Sequence, residues 1–482
     1  MVFFPVVTAL YFLLPHRFRW FMLLAASCYF YMAFIPYYIL ILFATIIVNY
    51  WAGILIERSD GDNRKIYLII CLATTIAILF VFKYFNFFNT NFAQAAQFLG
   101  WNYSIENLRL MLPIGLSFHT FQSMSYIIEV YRGNQKAERN FGIFSLYVMF
   151  YPQLVAGPVE RPQNLLHQFY ERHEFDYQRV ADGLKLMAWG MFKKIVIADR
   201  LTVLVDRVYN NPYDFTGLPL IIASIAFTFQ IYCDFSGYSD IAIGSAQVMG
   251  FKLMDNFNRP YFSRSVSEFW KRWHISLSTW FRDYLYIPLG GGRVKKWRRY
   301  FNLFFTFLVS GLWHGANWTY IFWGAIHGSF LIVSIWTQGI RSRIVNFMGL
   351  KKHPKIYRFI QIVIVFTLVS FAWIFFRARN ITEAFYVVSH LFVGLDGITG
   401  MVGLKTAIDS IGISKYELYV ALIAILAMEI IHFIQRHGSI RHMLSRKPLL
   451  LRWAVYYLLI ISIIFFGVYG GTSNQKFIYF QF

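Results

Sequence analysis

The sequence predicts an all-α polytopic membrane protein, and three observations carry that class. Hydrophobic residues fill 57% of the 482 positions and charged residues only 14%, a combination soluble domains rarely show. Many windows, residues 66–82 and 453–467 among them, approach the roughly 20 apolar residues that cross a bilayer as a helix. Such unbroken runs exclude the short alternating strands of a barrel, and lipid leaves the backbone no third way to satisfy its polar groups.

The net charge of +21 raises the question of nucleic acid. Its distribution answers against that partner, because Lys and Arg gather in short loops between apolar segments, the positive-inside pattern. Basic loops also meet anionic headgroups or an anionic cytoplasmic donor. Cys28, Cys71 and Cys233 all lie in apolar stretches, so neither a disulfide framework nor a metal motif is visible.

Residues 2–14 make a short apolar segment with no basic n-region or small-residue cleavage site, which reads as a retained first span. Segments 21–32 and 38–55 follow. Placing Arg17, Arg19, Arg58, Arg64 and Lys65 in the cytoplasm puts the N-terminus outside. Residues 66–82 then exit, and 86–108 read as a polar, aromatic external loop. From 110 to 130, Pro113, Gly115, Ser117, His119, Thr120, Gln122, Ser123 and Ser125 interrupt an apolar frame. Such a segment lines protein or water, as a broken or re-entrant helix does; His119 reads as a structural, hydrogen-bonded histidine. Prolines and glycines at 147–162 point to irregular backbone, and 163–183 to an interfacial helix or loop. Apolar segments near 185–205 and 216–232 come next. The second runs into Asp234 and Asp240, carboxylates expected to cap a helix or pair with an Arg of the basic loop.

Residues 251–300 hold eleven Lys/Arg against three Asp/Glu, a net charge of +8, and form a basic cytoplasmic belt. Ser265 and Glu268 have capping-box spacing. Beyond them Phe269, Trp270, Trp273, Leu277, Trp280 and Phe281 recur at three- and four-residue steps, predicting one amphipathic helix in the interface. His274 falls at the edge of its apolar face, where a polar group needs a partner. Lys271, Arg272 and Arg282 fall elsewhere, toward water and an anionic donor. Gly290, Gly291 and Gly292 match no phosphate-loop spacing and read as a flexible connection. An apolar run then leads to His314, between Gly311 and Gly315, and a further segment, 318–337, carries His327. A histidine at membrane depth is a functional hypothesis by default, against the plainer reading of a hydrogen-bonded helix interface. Two histidines following a basic belt suggest proton transfer beside an anionic donor.

Four stretches resemble the bacterial membrane-bound O-acyltransferase (MBOAT) family. They are Tyr151-Pro-Gln-Leu-Val-Ala-Gly-Pro158, Tyr232-Cys-Asp-Phe-Ser-Gly-Tyr-Ser-Asp240, the run from Arg272-Trp-His274 to Pro288-Leu-Gly290, and Ser310-Gly-Leu-Trp-His-Gly-Ala316. The chain looks most like the branch that contains the membrane subunits of alginate O-acetylation and teichoic-acid D-alanylation. The resemblance weakens after about residue 340. It implies an MBOAT fold of about eleven transmembrane helices, plus re-entrant and interfacial helices, around a central funnel or tunnel. It further implies an O-acyltransferase in the bacterial cytoplasmic membrane, with no bound cofactor. His314 corresponds to the family's essential histidine, in the role of general base, and His274 to its second characteristic one. The implied donor is acetyl-CoA or another acyl thioester, such as one on an acyl carrier protein. An extracytoplasmic SGNH-type acyltransferase or esterase partner would complete transfer to an envelope polysaccharide. D-alanyl transfer toward teichoic acid keeps the fold and changes the acyl group. A proton-coupled transporter or flippase would use the same histidines without a covalent step. Asn317 or a backbone N–H are the candidates for stabilising the oxyanion.

Residues 436–452 form another basic, cytoplasmic loop, so the span 453–469 ends outside. The domain expectation is therefore a transmembrane domain over 1–470 and an extracytoplasmic aromatic tail over 471–482. That tail rests at the interface, or Tyr479 carries the acyl group transiently, as the tail's likeness to the small single-span D-alanylation partner implies. Residues 471–479 extend roughly 30 Å, enough to reach back across the hydrocarbon.

Overall fold

The computed structural model describes residues 2–155, 157–396 and 400–469. Every regular element among them is helical, and seven helices are long and apolar enough to cross a membrane. These are Tyr38–Arg58, Gly61–Phe98, Leu218–Met249, Trp318–Trp336, Pro354–Arg377, Lys415–Gln435 and Leu449–Phe466. His16–Met32 and Leu116–Tyr131 are shorter, at 17 and 16 residues. The 19-residue helix Lys296–His314 opens on a basic turn. The described residues divide into two compact units, one within 2–187 and 239–255, the other within 188–238, 256–396 and 400–469.

In the first unit the expected external loop at 86–108 is largely absent. Gly61–Leu79 passes through one wide turn, Phe80–Tyr84, into a further helix, Phe85–Phe98. Asn residues of this polar stretch act as side-chain partners: Asn86 and Leu108 exchange two hydrogen bonds of 2.8 Å, and Asn89 donates to Asn107 at 2.9 Å. The polar segment forms Leu116–Tyr131, started by Gly115 in the left-handed region (φ 75°) and buried almost end to end. Its neighbour Tyr38–Arg58 comes so close that a Cβ on Gly53 would stand 2.9 Å from the Tyr126 ring. His119 lies in this interior with neither ring nitrogen hydrogen-bonded among the described residues. The hydrogen-bonded role expected for it is not what the packing supplies.

Leu218–Met249, of which residues 218–238 belong to the second unit, runs unbroken through the stretch containing Asp234 and Asp240. Asp234 pairs with a lysine rather than with an arginine of the basic loop. Lys194 Nζ lies 2.5 Å from Asp234 and 2.7 Å from Asp199, and Lys193 donates to Ser236 Oγ at 2.9 Å. Both lysines sit on Phe192–Ala198, a π-helical segment. One half-buried lysine is shared by two buried carboxylates, so each carboxylate has an opposite charge at contact distance.

Lys296–His314 and Trp318–Trp336 form an antiparallel hairpin with almost no space between backbones. A Cβ on Gly311 would stand 2.2 Å from Tyr320 O, and one on Gly324 would stand 2.2 Å from Phe307 O. Only glycine permits this approach, and it fixes where His314, the last residue of its helix, comes to rest. Gly311→Ala and Gly324→Ala are each expected to lower stability by about 1–3 kcal/mol, as overpacking does. Gly339→Ala, with open space around its Cα, should be neutral. Thermal unfolding in detergent, with the three variants side by side, checks this; equal melting temperatures would refute the close contact.

Candidate active site

The basic belt folds differently from one amphipathic helix. Its N-terminal signal holds: Ser265 Oγ accepts from Glu268 N at 3.1 Å, and Glu268 accepts in return from Arg264 N at 2.8 Å. The helix lasts only over Val266–Trp270, and a second begins at Ile275–Phe281. Between them His274 occupies the left-handed region, φ 41° and ψ 57°, a conformation uncommon for a side chain of this size.

A neighbouring segment holds the break. Ile275 N donates to Asn256 O at 2.9 Å, Ser276 Oγ donates to Asn256 Oδ1 at 2.6 Å, and Asn258 N donates to Arg272 O at 2.9 Å. These bonds satisfy backbone groups that an unbroken helix would have paired internally. They also turn His274 inward, to 1% exposure. The apolar face predicted for the helix survives the break, since Phe269, Trp273, Leu277, Trp280 and Phe281 are all buried.

His274 meets the Phe235 ring at 4.5 Å and the Trp313 ring at 6.5 Å. Trp313 in turn stands 5.0 Å from His314, so one indole touches both histidines predicted for the site. His314 is 5% exposed and further enclosed by Trp323 at 5.0 Å and Phe376 at 5.3 Å. Gly315 stops its helix in an extended conformation. Burial pushes the His274 imidazole down to about 3, which makes it a neutral group throughout the physiological range.

The donor-binding candidates diverge. Arg272 is paired with Glu268 at 2.7 Å and Arg282 with Asp283 at 2.7 Å, whereas Lys271 is exposed at the end of its helix. Asn317 is committed elsewhere: Oδ1 caps Trp318–Trp336 through Thr319 N at 3.0 Å, and Nδ2 donates to Arg379 O at 2.9 Å. These bonds use its Oδ1 and one of the two N–H groups of Nδ2. The triple glycine is held more firmly than a flexible connection. Asn302 Nδ2 donates to Leu289 O and Gly291 O, both at 3.1 Å, from a fully buried position. Tyr479 lies outside the described residues. Sequence reading missed Asn256 and Trp313. The available signal for Trp313 was its place beside His314, and none marks Asn256 short of the fold.

The structure therefore places a pair of buried histidines on one shared indole, inside an all-helical protein with membrane-length apolar helices. Residues 140–377 match the MBOAT, membrane-bound O-acyltransferase family. The "Probable alginate O-acetylase AlgI" of Pseudomonas aeruginosa is 41% identical over 81% of this chain and 73% of the relative. The "Peptidoglycan O-acetyltransferase" of Helicobacter pylori is 35% identical over 78% and 74%. The "Teichoic acid D-alanyltransferase" of Streptococcus thermophilus is 31% identical over 46% and 56%. The chain belongs to the membrane-bound O-acyltransferase family, and it is a multi-pass O-acyltransferase.

The depressed His274 value has a thermodynamic consequence. A group held neutral in the fold contributes stability that is complete above its unfolded value of about 6.5 and is lost as pH falls toward 3. Acid unfolding should therefore be shallower across that window in His274→Gln than in the wild type. Superimposable slopes would mean that the ring is not held neutral.

Proposed function

We propose that this protein moves an acetyl group from a cytoplasmic thioester across the bacterial cytoplasmic membrane for O-acetylation of an envelope polysaccharide. The observation that carries the reading is the enclosure of His314 by Trp313, Trp323 and Phe376, in a chain whose long-coverage relatives bear O-acetylating names. The D-alanyl relative matches at lower identity and over less of the chain, which favours acetyl over D-alanine.

In this reading His314 takes the proton of the acceptor hydroxyl as the new C–O bond forms. The C–S bond breaks, and the departing thiolate receives that proton. His274, neutral and packed on the same Trp313, acts as a hydrogen-bonding group. The donor is acetyl-CoA or a related acyl thioester. Lys271 is the exposed belt cation that its phosphates would meet, with Arg272 next to it and Arg282 farther along the belt. Tyr479 is the transient acetyl carrier, from which an extracytoplasmic SGNH-type partner would complete transfer to sugar. Both termini are then extracytoplasmic.

Intact-mass and peptide mass spectrometry on protein incubated with acetyl-CoA tests this. The wild type should gain one acetyl group on Tyr479, and both His314→Ala and Tyr479→Phe should abolish the adduct. An adduct that persists in His314→Ala would remove the histidine from the role of base. Substrate movement in vesicles with neither adduct nor thiol release would favour a flippase instead.

A further inference from the structure

The helix Gln338–Phe347 joins the spans Trp318–Trp336 and Pro354–Arg377, and none of its residues is buried. Its exposed surface is patterned. At about 100° per residue, Ile340, Ile344 and Phe347 fall on one arc, and all three are exposed, Phe347 to 94%. Arg343 falls at one edge of that arc and Arg341 at the other, while Ser342 and Asn346 lie opposite. Exposed apolar side chains grouped in this way mark a contact surface.

The glycine hairpin sets the level at which this helix begins. Gly324 packs on Phe307 and Gly328 on Phe304, so the antiparallel register brings Trp336 level with Trp297, at the basic start of Lys296–His314. Both indoles are exposed, at 76% and 84%, and tryptophans gather where hydrocarbon gives way to headgroups. Thr337 departs from helical geometry (φ −83°, ψ 4°), and Arg341 reaches back across it to Ser334 Oγ at 3.2 Å. Charge identifies the side. Residues 284–382 contain no Asp or Glu, whereas Arg341, Arg343, Lys351, Lys352, Lys355 and Arg358 crowd this connection, as cytoplasmic loops do.

We infer that Gln338–Phe347 lies in the cytoplasmic leaflet, with Ile340, Ile344 and Phe347 among the acyl chains and Arg341 and Arg343 on the phosphates of anionic phospholipids. The occupant follows from continuity. Trp336 before the helix, and Ile356 and Phe359 after it, are exposed on spans whose outer surfaces face lipid. An arc that begins and ends in that surface is covered by the same solvent. Arginines at its edges extend their apolar stems along the arc and their charges to the headgroups. The helix follows the one that holds Trp323 on His314, so this contact anchors the cytoplasmic end of the hairpin. It is independent of which acyl donor is used.

Spin labels read the depth. The full-length protein, in a Cys28→Ser background because Cys71 and Cys233 are buried, carries single labelled cysteines in nanodiscs of phosphatidylcholine with phosphatidylglycerol. Ile340→Cys, Ile344→Cys and Phe347→Cys should be open to oxygen, which enters the bilayer, and shielded from a water-soluble nickel chelate. Ser342→Cys and Asn346→Cys should show the reverse. Misfolding of one variant cannot reproduce a pattern read at every position with the period of a helix. Equal nickel access throughout would overturn the inference and leave the arc to a cytosolic protein or a second copy of the chain. In phosphatidylcholine alone, or with Arg341→Gln and Arg343→Gln, the oxygen-to-nickel ratio at Ile344→Cys should fall by up to about fivefold per arginine, the worth of one cation at an anionic surface. A ratio indifferent to both changes would overturn the headgroup contact.

Discussion

The position of His314 depends on the contact between Gly311 and Gly324. Each glycine faces a backbone carbonyl of the opposite helix at a distance that no Cβ could share. The hairpin therefore has a single depth of packing, and its register is fixed to within a residue. In lipid, helices gain little from hiding apolar surface from one another; close van der Waals approach supplies the attraction instead. The contact brings Trp323 against His314 and leaves His327 one turn farther along, facing Trp270. Small residues at two positions thus determine where three large aromatic ones can go.

The second determinant is the break at His274. A regular helix through 266–281 would satisfy its own backbone, so abandoning it needs compensation from outside. Asn256, Asn258 and Ser276 supply that compensation within the same unit. A left-handed residue costs roughly 1–2 kcal/mol, an amount that these bonds readily offset. In return, the imidazole leaves the edge of an amphipathic face for a sealed position against Phe235 and Trp313. Backbone strain at a residue of functional type is a familiar way to aim a side chain.

Much of this was legible in the sequence, and the failures share a cause. Periodicity located the buried face of 266–281, the capping box located its start, and the Gly–His–Gly neighbourhood located His314. All of these signals are local. The helix break was not legible because the bonds that compensate it come from residues 256–258, about eighteen positions upstream. The helix Phe85–Phe98 was hidden because the partners of its asparagines, Leu108 and Asn107, lie outside it. Asp234 was expected to find an arginine in the belt. Its partner Lys194 is forty positions away, on a π-helical segment that no propensity announces. Asn317 likewise draws on distant chain, since its amide joins the start of its own helix to the carbonyl of Arg379.

An imidazole that can deprotonate a hydroxyl can also deprotonate water, so an acyltransferase with a histidine base must keep water away from the thioester. On the proposed reading, the side chains around His314 would serve that end. His314 is 5% exposed, and the rings of Trp313, Trp323 and Phe376 surround it at 5.0–5.3 Å. Excluding water protects a reactive intermediate and strengthens every polar interaction made inside the enclosure. On the proposed reading, the aromatic enclosure is what makes the reaction a transfer rather than a hydrolysis, because the only hydroxyl able to reach the base is one carried in by a substrate or a tethered residue. The glycine contact that seats the hairpin sets the packing that holds Trp323 against His314.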